Sequence, residues 1–285
     1  MKAYEVFTTH TLEMGAKYDF FIFAPHAWDS PDWIPFIQET LVKKDFSPSL
    51  LHDYIKHEAD LWSRELSLWI FETIKSLNPD LKLLLIIWEV PRAFCDLNRI
   101  PERAIPSIVK REFWNDINNN AMQEIEHLLS QAHYWLHVHT MNSRDNVIGW
   151  NFSCKVSESD VRNFLNNGYS GAQRNDNILT QHANGKYHSF EHLDNIFVKN
   201  WNARNILLDR DVAYKFENHF SATHLVAKIP SSLIEVTKWN LATSQTKDAI
   251  DASKIVLDEG KIQNYQDLIS QSIVEFLSKK NKECF

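Results

Sequence analysis

Apolar runs of strand length recur along the chain, and longer amphipathic stretches separate them. "YDFFIFA" (18–24), "LKLLLIIWEV" (81–90), "HYWLHVH" (133–139) and "THLVAKI" (223–229) read as strands. The first two are apolar at nearly every position, the pattern of strands covered on both faces, as in parallel sheets. Between them, residues 49–80 carry Leu51, Tyr54, Ile55, Trp62, Leu66, Trp69, Ile70 and Ile74 near helical spacing and stop at a proline, so this stretch reads as one long helix. "PSLL" at 48 has the form of a helix start, as does "SESDVRNFLNN" at 157, with Ser157 as cap and Asp160 three residues on. Residues 119–132 predict a second helix that leads straight into the strand at 133. In the tail, Ile262, Tyr265, Leu268, Ile269, Ile273, Phe276 and Leu277 form one stripe of a C-terminal helix. The β-α-β-α-β order predicts an α/β fold of three layers, α/β/α, around a mostly parallel mixed sheet. Residues 167–222 are rich in Asn, Gly and His, so a long loop region over the site is expected there, within a single domain spanning 1–285.

Composition narrows the classes. Hydrophobic residues at 44% and aromatics at 12%, with only 6 Gly, exclude a disordered or fibrous chain. A net charge of -7, with no Lys/Arg run longer than the pairs at 43 and 279, gives no basic face for phosphates, so nucleic acid is not an expected partner. Cys95, Cys154 and Cys284 form an odd set without C-x-x-C spacing, which argues against a disulfide framework and a thiolate zinc site and fits a reducing cytoplasm. The first fifteen residues lack an apolar signal region and no stretch has the length of a membrane span, so no membrane association is expected.

In an open parallel sheet, ligands bind beyond the carboxyl ends of the strands, where the loops share one crevice. His26 follows the first strand, Arg92 the second, and His137 and His139 end the third. His137 and His139 share one strand face with His133 and Trp135, so alternation alone does not choose between them; the last position lies nearest the crevice and favours His139. Two imidazoles and a carboxylate would leave a tetrahedral divalent ion one open position for water. Glu58 and Asp60, in "HEADLWSREL", are the carboxylate candidates, the alternative being a surface Asp60–Arg64 pair four residues apart. Arg92 and Arg99 bracket an Asp-Leu-Asn segment between prolines, a stiff mount for guanidinium groups suited to carboxylate recognition; here the alternative is an internal pair with Asp96. A single Glu-x-x-His at Glu124 and His127 reads as the polar face of a helix, since a carboxylate-bridged metal centre needs that motif twice.

"PHAW" (25–28), "HEADLWSREL" (57–66), "VPRAFCDLNR" (90–99) and "HVHTM" (137–141) resemble, in order and approximate spacing, motifs of the N-formylglutamate amidohydrolase family, which is related to zinc carboxypeptidases and aspartoacylases. "NNGYSGA" (166–172) resembles the Asn-x-Pro-Tyr-x-Gly-Gly loop of that family. The resemblance implies a phosphorylase/hydrolase-like fold and one zinc held by His26, Asp60 or Glu58, and His139. It also implies a carboxylate grip by Arg92, Asn98 and Arg99, substrate contacts from Asn166 and Tyr169, and hydrolysis of an N-acyl or N-formyl amino acid or peptide. Ala27 and Trp28 stand where the family has Ser and Gly, His137 where it has Asp, and Thr140 where it has Ser. In the best register the family's general-base Glu aligns with Lys228, a poor base unless burial lowers its pKa; either Glu235 or Glu217 substitutes or the register is shifted, and Glu235, Lys228 and Arg92 are the catalytic candidates.

Overall fold

A computed structural model describes residues 3–10, 17–27, 31–42, 46–97, 105–129, 131–141, 146–148, 190–206, 208–210, 231–246 and 254–283. Its strands are β1 (Tyr4–Thr8), β2 (Phe20–Ala24), β3 (Leu83–Trp88), β4 (Trp135–Met141), β5 (Asn146–Ile148), β6 (Leu208–Arg210) and β7 (Ser231–Thr237). The helices are α1 (Ile34–Thr40), α2 (Pro48–Glu58), α3 (Ser63–Leu77), α4 (Arg111–Leu129), α5 (Phe190–Asn202), α6 (Lys238–Leu241) and α7 (Glu259–Glu283).

The strands form one sheet in the order β1-β3-β2-β4-β7-β5-β6. The inner four, β3, β2, β4 and β7, run parallel, while β1 pairs antiparallel with β3 and β5 antiparallel with β7. Continuous burial of β2 and β3 follows from their position: every residue of both is buried. Alternate residues feed two cores. Phe21, Phe23, Leu84, Ile86, Trp88, Trp135 and Leu233 pack with Ile37, Leu51, Ile55, Trp114 and Ile125 from α1, α2 and α4. Phe20, Ile22, Leu83, Leu85, Ile87, Leu136, Val138 and Ile234 pack with Leu66, Ile70, Phe197, Ile269 and Ile273 from α3, α5 and α7. Helices therefore cover both faces, the three-layer α/β arrangement that the apolar pattern predicts.

The long helix expected over 49–80 is two helices. Ser47 caps the first, its hydroxyl accepting from Leu50 N at 3.2 Å, and that helix ends at Glu58. The second starts at Ser63, after Trp62 in the left-handed region at φ 72°. α4 begins at Arg111, well before the expected 119. The polar stretch 167–222, expected as loop, holds α5, whose Leu193, Ile196, Phe197 and Trp201 are buried, and strand β6. Residues 167–189 and 211–222 lie outside the described residues, as do the expected strand 223–229 and the helix start at 157. Among the described residues no helix is long and apolar enough to cross a membrane.

Candidate metal centre

All four parallel strands deliver chemistry to the same carboxyl edge. His26 lies two residues beyond β2, Arg92 and Asp96 follow β3, His139 sits near the end of β4, and Glu235 lies on β7 opposite His139 in the parallel register. His26, Asp60 and His139 are buried, and each offers a ligand atom such that all three atoms lie within 4.8 Å of one another. The two imidazoles are 5.1 Å apart between ring centres.

Asp60 is the hub, and it is not on a helix. It occupies the turn between α2 and α3, where Ser63 N donates to Asp60 O at 3.1 Å. Trp62, with φ 72° and ψ 0°, takes the third position of that turn, a conformation that favours glycine and costs an ordinary residue roughly 1–2 kcal/mol. The break aims the Asp60 carboxylate at the sheet edge. Its Oδ2 meets His139 Nδ1 at 2.7 Å and His26 Nδ1 at 3.3 Å, and its Oδ1 accepts from Arg92 Nη1 at 3.1 Å. Glu58, the other carboxylate candidate, closes α2, and its side chain lies outside the described residues. The alternative Asp60–Arg64 pair does not form: Arg64 Nη2 donates to Glu5 at 2.6 Å and its Nε lies 3.6 Å from Glu89.

Asp96 ties the cluster from behind. His26 Nε2 is 3.1 Å from Asp96 Oδ1, and Arg92 Nε donates to Asp96 Oδ2 at 3.2 Å. The internal Arg92–Asp96 pair is therefore real, and Arg92 spends two of its five N–H donors on Asp60 and Asp96. From sequence Asp96 is expected only as a partner for arginine; its contact with a ring nitrogen of His26 arises because β2 and β3 are neighbours.

Electrostatics follow from burial and contact. Burial alone would raise the Asp60 carboxyl, but the charge of His26, the bonds to His139 and His26, and Arg92 hold it well below the usual carboxylate range. Burial and Arg92 push His26 down, yet Asp96 and Asp60 together leave it above an ordinary histidine. His139 is lowered, chiefly by burial, against the pull of Asp60. Burial and the Asp60 charge push Glu235 well above the usual range, opposed by Arg92 and Lys238. His137 packs one pleat deeper, edge-on to Trp135 at 4.1 Å and Phe23 at 5.4 Å, and burial holds it well below its ordinary value. Of the two pleats, the outer one at His139 reaches Asp60 and the inner one at His137 meets aromatic core.

The donor set fits a divalent ion. Tetrahedral bonds of 2.0–2.1 Å place neighbouring donor atoms about 3.3 Å apart; His26 Nδ1 lies 3.3 Å from Asp60 Oδ2, and His139 Nδ1, at 2.7 Å, is drawn closer by a hydrogen bond. His139 Nε2 is buried without a hydrogen-bond partner, so this imidazole offers a second nitrogen as well. The His26–Asp96 contact has the form of a carboxylate that orients a metal-binding histidine through its far nitrogen.

Of the other expected site residues, Asn98, Arg99, Asn166, Tyr169, Glu217 and Lys228 lie outside the described residues. Glu124 and His127 are exposed on α4, Glu124 accepting from Tyr4 and His127 contacting Gln131. The sequence carries no signal for one buried cation at the site: Lys238, at the start of α6, whose Nζ donates to Ala59 O at 2.9 Å.

No family model matches the chain, and no curated protein does. Solved structures do share its fold. An N-formylglutamate amidohydrolase from Ralstonia eutropha JMP134 superposes with a TM-score of 0.55 at 11% identity, covering 99% of this chain and 100% of that one. A gene product from Agrobacterium tumefaciens gives 0.53 at 12% identity over 98% and 94%. This chain shares the α/β fold of these structures.

Proposed function

We propose that the protein is a zinc-dependent amidohydrolase that cleaves an N-acyl or N-formyl amide of an amino acid or peptide. The reading rests on the convergence of His26, Asp60 and His139 beside Glu235 at the carboxyl edge of the sheet, and the shared fold supports it. Two nitrogens and a carboxylate oxygen are a zinc-type donor set with a position left for water. When bound, the ion would supply Lewis acidity for a carbonyl oxygen and lower the pKa of water.

The chain's own residues supply the rest. Asp96 fixes the ring of His26. Glu235, which burial and the Asp60 charge push well above the usual carboxylate range, would take the proton of the attacking water and return it to the leaving nitrogen. Arg92 stays charged beside Asp60 and Asp96, and its three remaining N–H donors are available to a substrate oxygen. Asn98, Arg99, Asn166 and Tyr169 complete the proposed grip on the substrate carboxylate, with Lys228 held back from the general-base role. A substrate of this kind is small and anionic, and the proposal needs neither nucleic acid nor membrane.

Assay of the zinc-loaded protein against a panel of N-formyl and N-acyl amino acids tests the reading. Hydrolysis that chelation abolishes, and that Glu235→Gln removes without loss of metal, is the expected result. Inactivity of loaded wild type across the panel contradicts it.

A second reading, a noncatalytic descendant of the fold, draws on one observation. His26 touches a carboxylate through each ring nitrogen and Arg92 bridges the same two carboxylates, a network closed without any ion. Absence of metal from protein purified without chelators favours it.

A further inference from the structure

The turn that carries Asp60 is gripped from both sides by residues outside the ligand set. Leu61 O accepts from Thr140 Oγ1 at 2.6 Å, and Ala59 O accepts from Lys238 Nζ at 2.9 Å. The peptide N–H of Asp60 itself donates to His26 O at 3.1 Å. The residues on either side of Asp60 are therefore each held by a side chain from a different strand end. Thr140 follows His139 on β4, and Lys238 comes three residues after Glu235, where β7 passes into α6.

Both side chains are fully buried. Burying an ammonium is expensive unless it is hydrogen-bonded or paired; Lys238 faces the Glu235 charge and donates a hydrogen bond to Ala59 O. Thr140 lies on the strand face opposite that of His139 and reaches the backbone of the turn; Lys238 reaches it from beyond the end of the neighbouring strand β7. The turn also needs such support, because Trp62 sits in a backbone conformation that persists only where its surroundings over-determine it.

We infer that Thr140 and Lys238 are positioning residues for Asp60: by holding the carbonyls of Leu61 and Ala59 they lock the carboxylate in register with His139 and Glu235. The inference rests on the metal-centre reading given above. It makes the three ligands and the proton-transfer residue one mechanical unit, since strands β4 and β7 each bring a site residue and a clamp for Asp60. A ligand held this way loses little freedom on binding the ion, and loosening either clamp lets it drift from the productive geometry.

Cobalt(II) titration of the metal-free full-length protein tests this, read by affinity and by the visible absorption that reports coordination geometry. Wild type is expected to take one equivalent. Thr140→Val and Lys238→Met are each expected to bind about tenfold or more weakly, with an altered spectrum. Thr140→Ser, which keeps the hydroxyl, is expected to restore wild-type affinity and spectrum. Wild-type behaviour in Thr140→Val and Lys238→Met overturns the inference and leaves the metal centre standing. Failure of wild type to bind cobalt overturns the metal centre, and the inference with it. A loss in Thr140→Ser equal to that in Thr140→Val removes the hydroxyl from the account. A crystal structure of the cobalt-loaded wild type with Thr140 Oγ1 or Lys238 Nζ turned away from these carbonyls overturns the inference without recourse to any variant.

Discussion

Asp60 and Glu275 are both carboxylates held below their usual range, and they sit in opposite surroundings. Asp60 is buried at the sheet edge against His139, His26 and Arg92. Glu275 lies on α7 and accepts from Lys279 at 2.7 Å, Lys199 at 3.0 Å and Asn200 at 3.1 Å. Each has three partners, so the number of contacts does not distinguish them. Burial does: the lysines around Glu275 are more than half exposed, whereas His26 and His139 are shut away from water. Water and salt screen the Glu275 network and leave the Asp60 network nearly unscreened. A buried carboxylate without its partners is costly to keep, so the Asp60 arrangement is the one that needs a purpose.

Four changes would break or sharpen that contrast. The largest effect is expected from Asp60→Asn. It removes the hub while leaving its partners buried, so stability should fall by about 3–5 kcal/mol and metal affinity by more than about 100-fold. Denaturant unfolding and calorimetric titration measure the two, and a near-neutral result would make Asp60 an ordinary surface-like carboxylate.

Asp96→Asn comes next. It leaves all three ligands but removes the charge behind His26, so metal should bind about 10–100-fold more weakly. Unchanged affinity in a competition titration would confine Asp96 to its pair with Arg92.

The third test is pH. In the metal-free protein, burial and Arg92 lower His26, but Asp96 and Asp60 leave it raised, so its proton persists to higher pH than in a free histidine. A metal must displace that proton. Affinity should therefore climb with pH, by up to about tenfold per unit, until His26 is neutral in the metal-free state. An affinity that stays flat between about pH 5 and 7 would take His26 out of the ligand set.

Glu275→Gln should have the smallest effect. The hydrogen bond from Lys279 lowers Glu275 to about 2, against burial and with help from Lys199 and Asn200. A depressed carboxyl stabilises the fold above its unfolded pKa, and that contribution is lost as pH falls from the ordinary glutamate range toward 2. The cost at neutral pH should not exceed about 1 kcal/mol, and it should shrink in high salt. A loss comparable to that of Asp60→Asn would show that exposure does not set the difference.

How much of this was legible in sequence varies by element, for physical reasons. β2 and β3 announce themselves because burial on both faces requires apolar residues at every position. β1 does not, since an edge strand that is only half-buried carries no such demand. The Asp60 turn was hidden because its left-handed residue is Trp62, where a glycine would have marked the break. α5 carried a readable stripe of Leu193, Ile196, Phe197 and Trp201, but the Asn- and His-rich segment before it masked the signal. His26, His139 and Asp60 could be proposed from their places at strand ends and in a motif. Asp96 on His26 and Lys238 on Ala59 could not, because these contacts depend on which strands become neighbours and on how far a side chain reaches across them.

The central claim is that His26, Asp60 and His139 share one divalent ion. Elemental analysis of protein purified without chelators and dialysed against zinc, run beside His139→Ala, tests it most directly. The account predicts close to one zinc per wild-type chain and almost none in the variant. Equal zinc in both, or none in either, would contradict it.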